Sequence, residues 1–300
     1  MTVKPRTIDA HQIASKLPKR KAESHKGNHG EVLVIGGAER MLGAALLAAR
    51  CALFAGAGRV YVGFICADHA IPHVDLLHPE LMLGKAEEMQ HPLAVHVLGP
   101  GLGTSAHAQM ELCRRLVETR YLVLDADALN LIAASANLQS NLSARRAAGH
   151  HTLLTPHPLE AARLLQTEVN TVQADRPSAA LELARRFGAH IILKGAGSLI
   201  ADLEQQLWLN PTGNPGLASA GTGDVLAGLC AALWAQSMAS HAATLPNSAL
   251  NDAAISACFI HGQAADHLLA AGIGPIGMSA SELLPAIRDC INRFNANQLD

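Results

Sequence analysis

The chain has few aromatic residues and few charged ones. Of its 300 residues, 3% are aromatic and 16% are charged, and the formal net charge is −2. Nucleic-acid-binding surfaces combine basic patches with aromatic rings that stack on bases. This composition therefore predicts no nucleic-acid partner. The hydrophobic content of 49% instead predicts a compact α/β protein with a large core.

Several kinds of segment and site are also missing from the sequence. No uncharged apolar run reaches the roughly 18 residues of a membrane span, and residues 1–26 lack the apolar core of a secretory signal. The six cysteines form no CxxC pair, which predicts reduced thiols in a cytoplasmic protein. None of the 16 histidines belongs to an HExxH motif, so no metal site built from protein ligands is predicted.

Apolar runs rich in Val, Ile and Leu alternate with alanine-rich helical segments along the chain. This alternation predicts a parallel sheet with right-handed crossovers. The predicted strands cover residues 31–36, 59–65, 94–98, 121–125, 152–155, 189–194, 198–200 and 206–209. The predicted helices cover about residues 44–54, 105–118, 179–187, 224–234, 253–271 and 280–294.

The domain prediction is one domain over residues 1–300, because neither a repeat nor a linker interrupts the pattern. Residues 1–25 are expected to form a solvated N-terminal arm with a short helical stretch. Residues 236–251 are rich in Ser, Asn and Ala and are expected to form an exposed loop. No element is assigned to residues 67–93.

A glycine-rich stretch, NPTGNPGLASAGTGDVLAG at residues 210–228, carries the clearest chemistry. Glycine lets backbone amides approach a bulky anion, and the apolar run after Gly223 predicts a helix whose N-terminus attracts negative charge. Residues 220–223 are therefore predicted to bind a phosphate. Asp224 would be a base that the helix dipole keeps ionised. The local pattern leaves open that Asp224 is an ordinary helix N-cap.

Polar side chains follow three other predicted strands. Asp125 ends an apolar strand, where doubly wound sheets place their ligands, and Asp127 is interpreted as the cap of the following helix. His157 lies between two prolines that would fix its loop and aim the ring outward. Lys194 stands beside a glycine turn and suits a phosphate or ribose contact.

A dinucleotide-binding fingerprint is an alternative prediction for one of these units. Gly101, Gly103 and Ala106 match the relaxed GxGxxA pattern, and Asp125 follows about 20 residues later. Alone, this pattern would indicate a nicotinamide-dependent dehydrogenase. Pro100 and the alanine at the third position make the match degenerate.

Seven motifs in order resemble the ADP/ATP-dependent NAD(P)H-hydrate dehydratase family, within the ribokinase-like superfamily. They are KGNHG (26–30), GG with MLGAA (36–45), LGPGLG (98–103), LDADALN (124–130), TPHPLE (155–160), LKGAGS (193–198) and the 210–228 stretch. The resemblance is continuous over about residues 25–235 and looser to 290. The chain departs from the family pattern at Leu159, where a glycine is more common.

The resemblance implies a three-layer α/β/α fold with a mostly parallel sheet. It also implies repair of the S form of hydrated NADH or NADPH, which is dehydrated at the expense of ADP (or ATP) with Mg²⁺; ADP would yield AMP and phosphate. Transferring a phosphoryl group to the ring hydroxyl turns a poor leaving group into a good one. A homo-oligomer, most simply a tetramer, is implied as well.

The resemblance also assigns residues. Asp224 would be the catalytic base. The contacts to the hydrated dinucleotide would be Ala44, Gly103, His157 and Asp224, with Asp125 as a further candidate. The nucleotide would be bound by Lys194, Gly195, Ala196, Gly197, Ser198, Asn214, Gly221, Thr222 and Gly223.

Two other functions remain open at this point. A small-molecule kinase of the same fold, acting on a vitamin precursor or a sugar, would use the same base and anion site but would keep its phosphorylated product. A nucleotide-sensing protein without turnover would not need a base beside the anion site.

Overall fold

The computed structural model describes residues 4–240 and 248–298. Its strands are β1 (Arg6–Thr7), β2 (Glu31–Gly36), β3 (Arg59–Phe64), β4 (Met82–Lys85), β5 (Val95–Leu98), β6 (Tyr121–Leu124), β7 (His151–Leu154), β8 (His190–Leu193), β9 (Leu199–Ala201) and β10 (Leu207–Leu209). Its helices are α1 (Ala10–Lys16), α2 (Leu42–Phe54), α3 (Ala106–Glu118), α4 (Ala126–Ala134), α5 (Ala136–Ala144), α6 (Pro158–Leu165), α7 (Val169–Ala174), α8 (Arg176–Phe187), α9 (Thr222–Ser240), α10 (Ala249–Ala270) and α11 (Ala280–Asn295).

The strands form one sheet in the order β1-β10-β9-β8-β7-β6-β5-β2-β3-β4. Strand β9 is antiparallel to both of its neighbours, and the other paired strands are parallel. The carboxyl ends of β5, β6, β7 and β8 therefore meet at one edge of the sheet. Ligands of doubly wound sheets bind at this edge.

Helices cover both faces of the sheet, as the alternation of side chains along β2 illustrates. Val32 and Val34 pack into one core with residues of α2, α9, α10 and α11, whereas Leu33 and Ile35 pack into another with residues of α3, α4, α6 and α8. A strand that is buried on both faces reads as a continuous apolar run. The predicted three-layer α/β/α architecture is confirmed.

The N-terminal segment, predicted as a solvated arm over residues 1–25, is packed on the domain in part. Strand β1 pairs in parallel with β10, and the amide of Ile8 donates to the carbonyl of Leu209 at 3.0 Å. Ile8, Ile13 and Leu17 are buried. Burial of these apolar side chains stabilises the docked segment. The basic run at residues 19–21 is exposed, as predicted.

The predicted exposed loop at residues 236–251 is wrong at both of its ends. Helix α9 continues to Ser240 with Gln236 buried, and α10 begins at Ala249 with Leu250 buried. Residues 241–247 lie outside the described residues. The buried side chain of Gln236 donates to the Ala55 carbonyl at 2.9 Å, and such tertiary contacts override the weak local propensity of the polar end of α9.

Strand β4 and helices α5, α6 and α7 have no counterpart in the sequence prediction. Strand β4 lies within residues 67–93, for which no element was predicted, and it pairs with β3 at the sheet edge.

All six cysteines are free, and four of them are buried. None of the helices in the described part of the chain has both the length and the apolar character that crossing a membrane requires.

Candidate active site

Asp125, the first polar residue after β6, is a buried carboxylate at the carboxyl edge of the sheet. Its side chain is almost fully buried. Oδ1 accepts hydrogen bonds from the Thr155 hydroxyl at 2.8 Å and from Lys194 Nζ at 2.6 Å. These donors come from the loops after the neighbouring strands β7 and β8, so three parallel strands build this contact.

The ammonium group of Lys194 lies among carboxylates. Besides Asp125, it lies 3.9 Å from Glu160 Oε2. Burial alone would lower the pKa of Lys194, but the charges of Asp125 and Glu160 outweigh burial and raise it. The side chain is therefore a fixed cation at neutral pH. A Cβ placed on Gly223 would lie 3.3 Å from Nζ, so this cation stands directly beside the start of α9.

A cavity of about 480 Å³ begins at this point and extends between the glycine turn after β8, the first turns of α9 and the middle of α10. Its lining includes eight of the nine residues predicted to bind a nucleotide, namely Lys194, Gly195, Ala196, Gly197, Ser198, Asn214, Thr222 and Gly223. The first amides of a helix have no acceptor within the helix. A lysine and a helix N-terminus therefore meet at one end of the cavity, which suits an anion.

Gly221 and Thr222 shape the loop before α9. Gly221 has a φ of 89°, and a Cβ there would lie 2.6 Å from Leu47 Cδ1, so glycine is needed for both conformation and space. Gly221 does not line the cavity as Gly223 does. The Thr222 hydroxyl donates to the carbonyls of Leu217 at 2.7 Å and Ser219 at 3.0 Å. Its side chain thus stabilises the loop.

Asp224 is the third residue of α9, so the alternative interpretation as its N-cap is wrong. Burial, followed by the negative charge of Asp125, raises the pKa of Asp224 to about 7, and Lys194 opposes this shift. The expectation that the helix dipole keeps Asp224 ionised is therefore wrong as well. Its carboxyl group instead exchanges a proton near neutral pH, where a general base is most useful.

Asp127 anchors the loop that carries Gly103 instead of capping a helix. Its Oδ2 accepts a hydrogen bond from the Gly103 amide at 2.8 Å, whereas the N-cap of α4 is Asp125. Ala44 lies in the first turn of α2, and its Cβ would lie 3.2 Å from a Cβ on Gly101. The loop after β5 and the start of α2 thus form one wall of the site.

His157 is the N-cap of α6. Its Nδ1 accepts hydrogen bonds from the amides of Leu159 at 3.1 Å and Glu160 at 3.3 Å. The ring remains half-exposed, as the two flanking prolines predicted. The side chain of Leu159 is exposed, so the departure from the usual glycine is accommodated without disturbing the cap.

The sequence analysis did not single out Glu160 or His261. Glu160 stands three residues after His157, and this capping-box spacing was the available signal. His261 lines the nucleotide cavity, and its Nε2 lies 3.0 Å from the Thr222 carbonyl. Burial lowers its pKa to about 4, so the ring is neutral and donates to that carbonyl. It comes from α10, which carries no recognisable motif.

Comparisons with known proteins identify the family of this chain. The family model described as NAD(P)H-hydrate dehydratase matches residues 32–288. The chain belongs to this family. The predicted family is thereby confirmed, and the dehydrogenase fingerprint was a wrong alternative.

Individual relatives of this dehydratase chain are similar over nearly its whole length. It is 38% identical to an ADP-dependent (S)-NAD(P)H-hydrate dehydratase of Neisseria meningitidis, over 94% of the chain and 93% of the relative. The ADP/ATP-dependent NAD(P)H-hydrate dehydratase of Bacillus subtilis, co-crystallised with ATP and Mg²⁺, superposes with a TM-score of 0.80 at 28% identity, covering 97% and 99% of the two chains.

A ribokinase-like superfamily protein of Enterococcus faecalis superposes with a TM-score of 0.74 at 25% identity, covering 96% of each chain. The predicted ribokinase-like fold is confirmed. Bifunctional NAD(P)H-hydrate repair enzymes of Coxiella burnetii and Escherichia coli are also similar, and the chain spans 53% and 52% of their lengths.

Proposed function

We propose that this protein dehydrates the S form of hydrated NADH or NADPH back to NAD(P)H while converting ADP to AMP and phosphate. The observation that carries the proposal is the position of Asp224. It is a carboxylate with a pKa of about 7 at the N-terminus of α9, next to a lysine at the end of a nucleotide-sized cavity. The name of the Neisseria relative supports the same reaction.

The adenine nucleotide occupies the cavity in this proposal. Residues 194–198, Asn214 and Thr222 surround it, and its phosphates approach Gly223 and the ammonium of Lys194. Asn214 is itself fixed, because its Nδ2 donates to Asp266 Oδ1 at 3.0 Å and its Oδ1 accepts from the Gly216 amide at 2.9 Å. Gly221 contributes by setting the loop conformation.

The hydrated dinucleotide lies on the other side of Asp224. Ala44, Gly103 and His157 border this space, and the Gly103 amide is already held by Asp127. For Asp125, the hydrogen bonds on Oδ1 leave Oδ2 as the oxygen available to a substrate. We expect Asp125 to act mainly by holding Lys194.

The phosphoryl transfer needs one base. Asp224 accepts the proton of the C6 hydroxyl as that oxygen attacks the terminal phosphorus of ADP, and AMP leaves. The lone pair of the ring nitrogen next expels phosphate from C6. The departing phosphate accepts the proton that C5 loses, which completes the dihydropyridine ring. Lys194 and the amides at the start of α9 stabilise negative charge on the transferred phosphoryl group.

Mg²⁺ is part of the proposal as a partner of the nucleotide. No group of three or more His, Cys, Asp or Glu side chains in the described part of the chain could hold a metal ion. Mg²⁺ commonly binds through substrate phosphates, waters and one or two carboxylates, and the phosphates of the bound nucleotide would supply the first of these. The ion would neutralise phosphate charge.

We also propose that the protein is a cytoplasmic single domain that assembles as a homotetramer. The unpaired cysteines favour a reducing compartment. The assembly rests on the family resemblance. Light scattering at micromolar concentration tests it, and a monomeric mass would contradict it.

The experiment for the reaction is incubation with hydrated NADH and either ADP or ATP, following the absorbance of the reduced nicotinamide. We expect absorbance to return with one phosphate released per NADH formed. A kinase would consume nucleotide and accumulate a phosphorylated product without free phosphate. Absence of absorbance recovery with both nucleotides would refute the proposed function.

A further inference from the structure

Glu160 is a buried carboxylate that reaches both sides of the candidate site. Its side chain is only 4% exposed. Oε2 accepts a hydrogen bond from the His157 amide at 2.8 Å and lies 3.9 Å from Lys194 Nζ. Oε1 lies 3.2 Å from His157 Nε2. One side chain therefore connects a residue of the nucleotide cavity with one on the dinucleotide side.

Capping of α6 does not account for these contacts. Helix α11 has the same capping box, in which Glu282 Oε2 accepts from the Ser279 amide at 2.7 Å. Glu282 is not buried and forms no ion pair among the described residues. A cap thus needs neither burial nor a neighbouring lysine, whereas Glu160 has both.

The ring of His157 is fixed through both of its nitrogens. Since Nδ1 accepts from the amides of Leu159 and Glu160, the proton of the neutral ring is on Nε2, which faces Glu160 Oε1. The position of the ring at the dinucleotide side therefore depends on the Glu160 side chain.

We propose that Glu160 is a positioning residue for the reaction, which fixes the His157 ring in a defined place beside the ammonium of Lys194. This inference rests on the proposed function. Binding a substrate slightly out of position can cost up to about a hundredfold in rate, so a residue that only orients its neighbours can matter for catalysis.

The charge of Glu160 gives a second, separable effect. The groups that face Asp224 are Asp125, Lys194, Asp127 and Glu160, and every carboxylate among them raises the pKa of Asp224. Removing the charge of Glu160 should therefore shift the acid limb of the kcat/KM profile to lower pH. Loss of a helix cap alone would leave that limb in place.

Two variants of the full chain separate position from charge. Glu160→Gln keeps an oxygen for the His157 amide but loses the charge, and Glu160→Asp keeps the charge but is too short for the ring. We expect both to raise the KM for hydrated NADH by about tenfold to a hundredfold. The KM for ADP should change by less than about threefold, since Asp125 still holds Lys194. Only Glu160→Gln should shift the acid limb.

Glu282→Gln is the matched control and should behave as wild type. Binding of hydrated NADH without nucleotide, measured by calorimetry, should weaken in both Glu160 variants and gives a readout that needs no turnover. Wild-type KM and pH profile in both variants would overturn the inference while leaving the proposed function intact. An inactive wild-type protein would instead refute the proposed function.

Discussion

A cluster of largely buried charged side chains on α3 differs from the one at the candidate site in how its charges are compensated. In the α3 cluster (Glu111, Arg114 and Arg115), Glu111 accepts hydrogen bonds from Arg114 Nη2 at 2.7 Å and Arg115 Nε at 2.6 Å. Arg115 also donates to the carbonyls of Ala86 and Met89. Burial would raise the pKa of Glu111, but the hydrogen bonds from both arginines hold it below its usual value.

The site cluster (Asp125, Asp127, Glu160, Lys194 and Asp224) has four carboxyl groups around one lysine. Within the described residues, no hydrogen-bond donor contacts the Asp224 carboxylate, and its pKa rises to about 7. A buried charge is stable when it is paired and hydrogen-bonded. The α3 cluster follows that rule and stabilises the fold, whereas the site cluster departs from it and thereby obtains a base that titrates near neutral pH.

The largest effect is expected from a substitution of Asp224, the carboxylate whose lack of a hydrogen-bond donor among the described residues distinguishes the site cluster from the α3 cluster. Asp224→Asn preserves the size of the side chain but cannot accept a proton, so kcat should fall by about 10²–10⁴-fold while ADP binding is retained. Steady-state kinetics measure kcat, and calorimetry measures ADP binding. Asp289→Asn, in an exposed ion pair with Arg293, is the control. Near-wild-type kcat in Asp224→Asn would exclude it as the base, and Asp125 would be tested next.

The α3 cluster should show the opposite response. Arg115→Met leaves Glu111 with fewer donors and its buried charge poorly compensated, which typically costs about 3–5 kcal/mol of unfolding free energy. Urea unfolding measures this loss, and kcat of the folded fraction should be unchanged. Arg185→Met, at an exposed pair with Glu182, should cost less than about 1 kcal/mol. A loss of kcat without a loss of stability would contradict the assignment.

The sequence predicted most of the fold because its strands are continuous apolar runs. The prediction for β2, residues 31–36, is confirmed to the residue. Strand β1 was missed, since it has two residues and pairs with β10 across about two hundred positions of chain. Such a pairing leaves no local pattern, because what fixes it is the docking of Ile8 and Ile13 into the core.

The site could be predicted as a set of residues but not as an electrostatic unit. Glycine motifs and family resemblance identified Lys194, Gly223 and Asp224, which the structure brings together. The pKa of Asp224 could not be predicted, because the carboxylates that raise it come from other loops. Local reasoning from the helix dipole gave the wrong sign. Glu160 was missed for a related reason, since its contact with Lys194 joins segments that follow two different strands, β7 and β8.

Gly223 tests whether the site cluster needs the space next to its lysine. A Cβ there would lie 3.3 Å from Lys194 Nζ, so the side chain of Gly223→Val would occupy the position expected for the phosphates. We expect ADP affinity to fall by about a hundredfold, or about 2.7 kcal/mol, by calorimetry. Gly43→Val, in the first turn of α2 where a Cβ meets nothing, controls for the cost of valine in a helix. Unchanged affinity at Gly223→Val would refute the nucleotide placement.

The pH dependence of the reaction tests whether the base is a carboxylate with a raised pKa such as Asp224 or a paired one such as Glu111. Because Asp224 must be ionised to act as a base and its pKa is about 7, kcat/KM should fall tenfold per unit as the pH drops below about 7. A carboxylate paired like Glu111, whose hydrogen bonds hold its pKa below the usual value, would give no such decline in the neutral range. A rate profile between about pH 5 and 9 in a constant-ionic-strength buffer distinguishes the two. A profile that stays flat down to about pH 5 would show that the base is a paired carboxylate.

The smallest effect is a gain in stability from the same substitution that abolishes turnover. The pKa of Asp224 is higher in the folded chain than in the unfolded one, so the folded state loses stability as the pH rises through the window from about 4 to 7. Asp224→Asn removes that cost, so its Tm should exceed that of wild type at pH 8 and match it near pH 4. Asp75 provides the control of opposite sign. Although burial works against it, hydrogen bonds from Arg50 lower the pKa of Asp75, so Asp75→Asn should lower the Tm at pH 8. A Tm for Asp224→Asn below that of wild type at pH 8 would show that the ionised carboxylate stabilises the fold, and the contrast between the two clusters would then be lost.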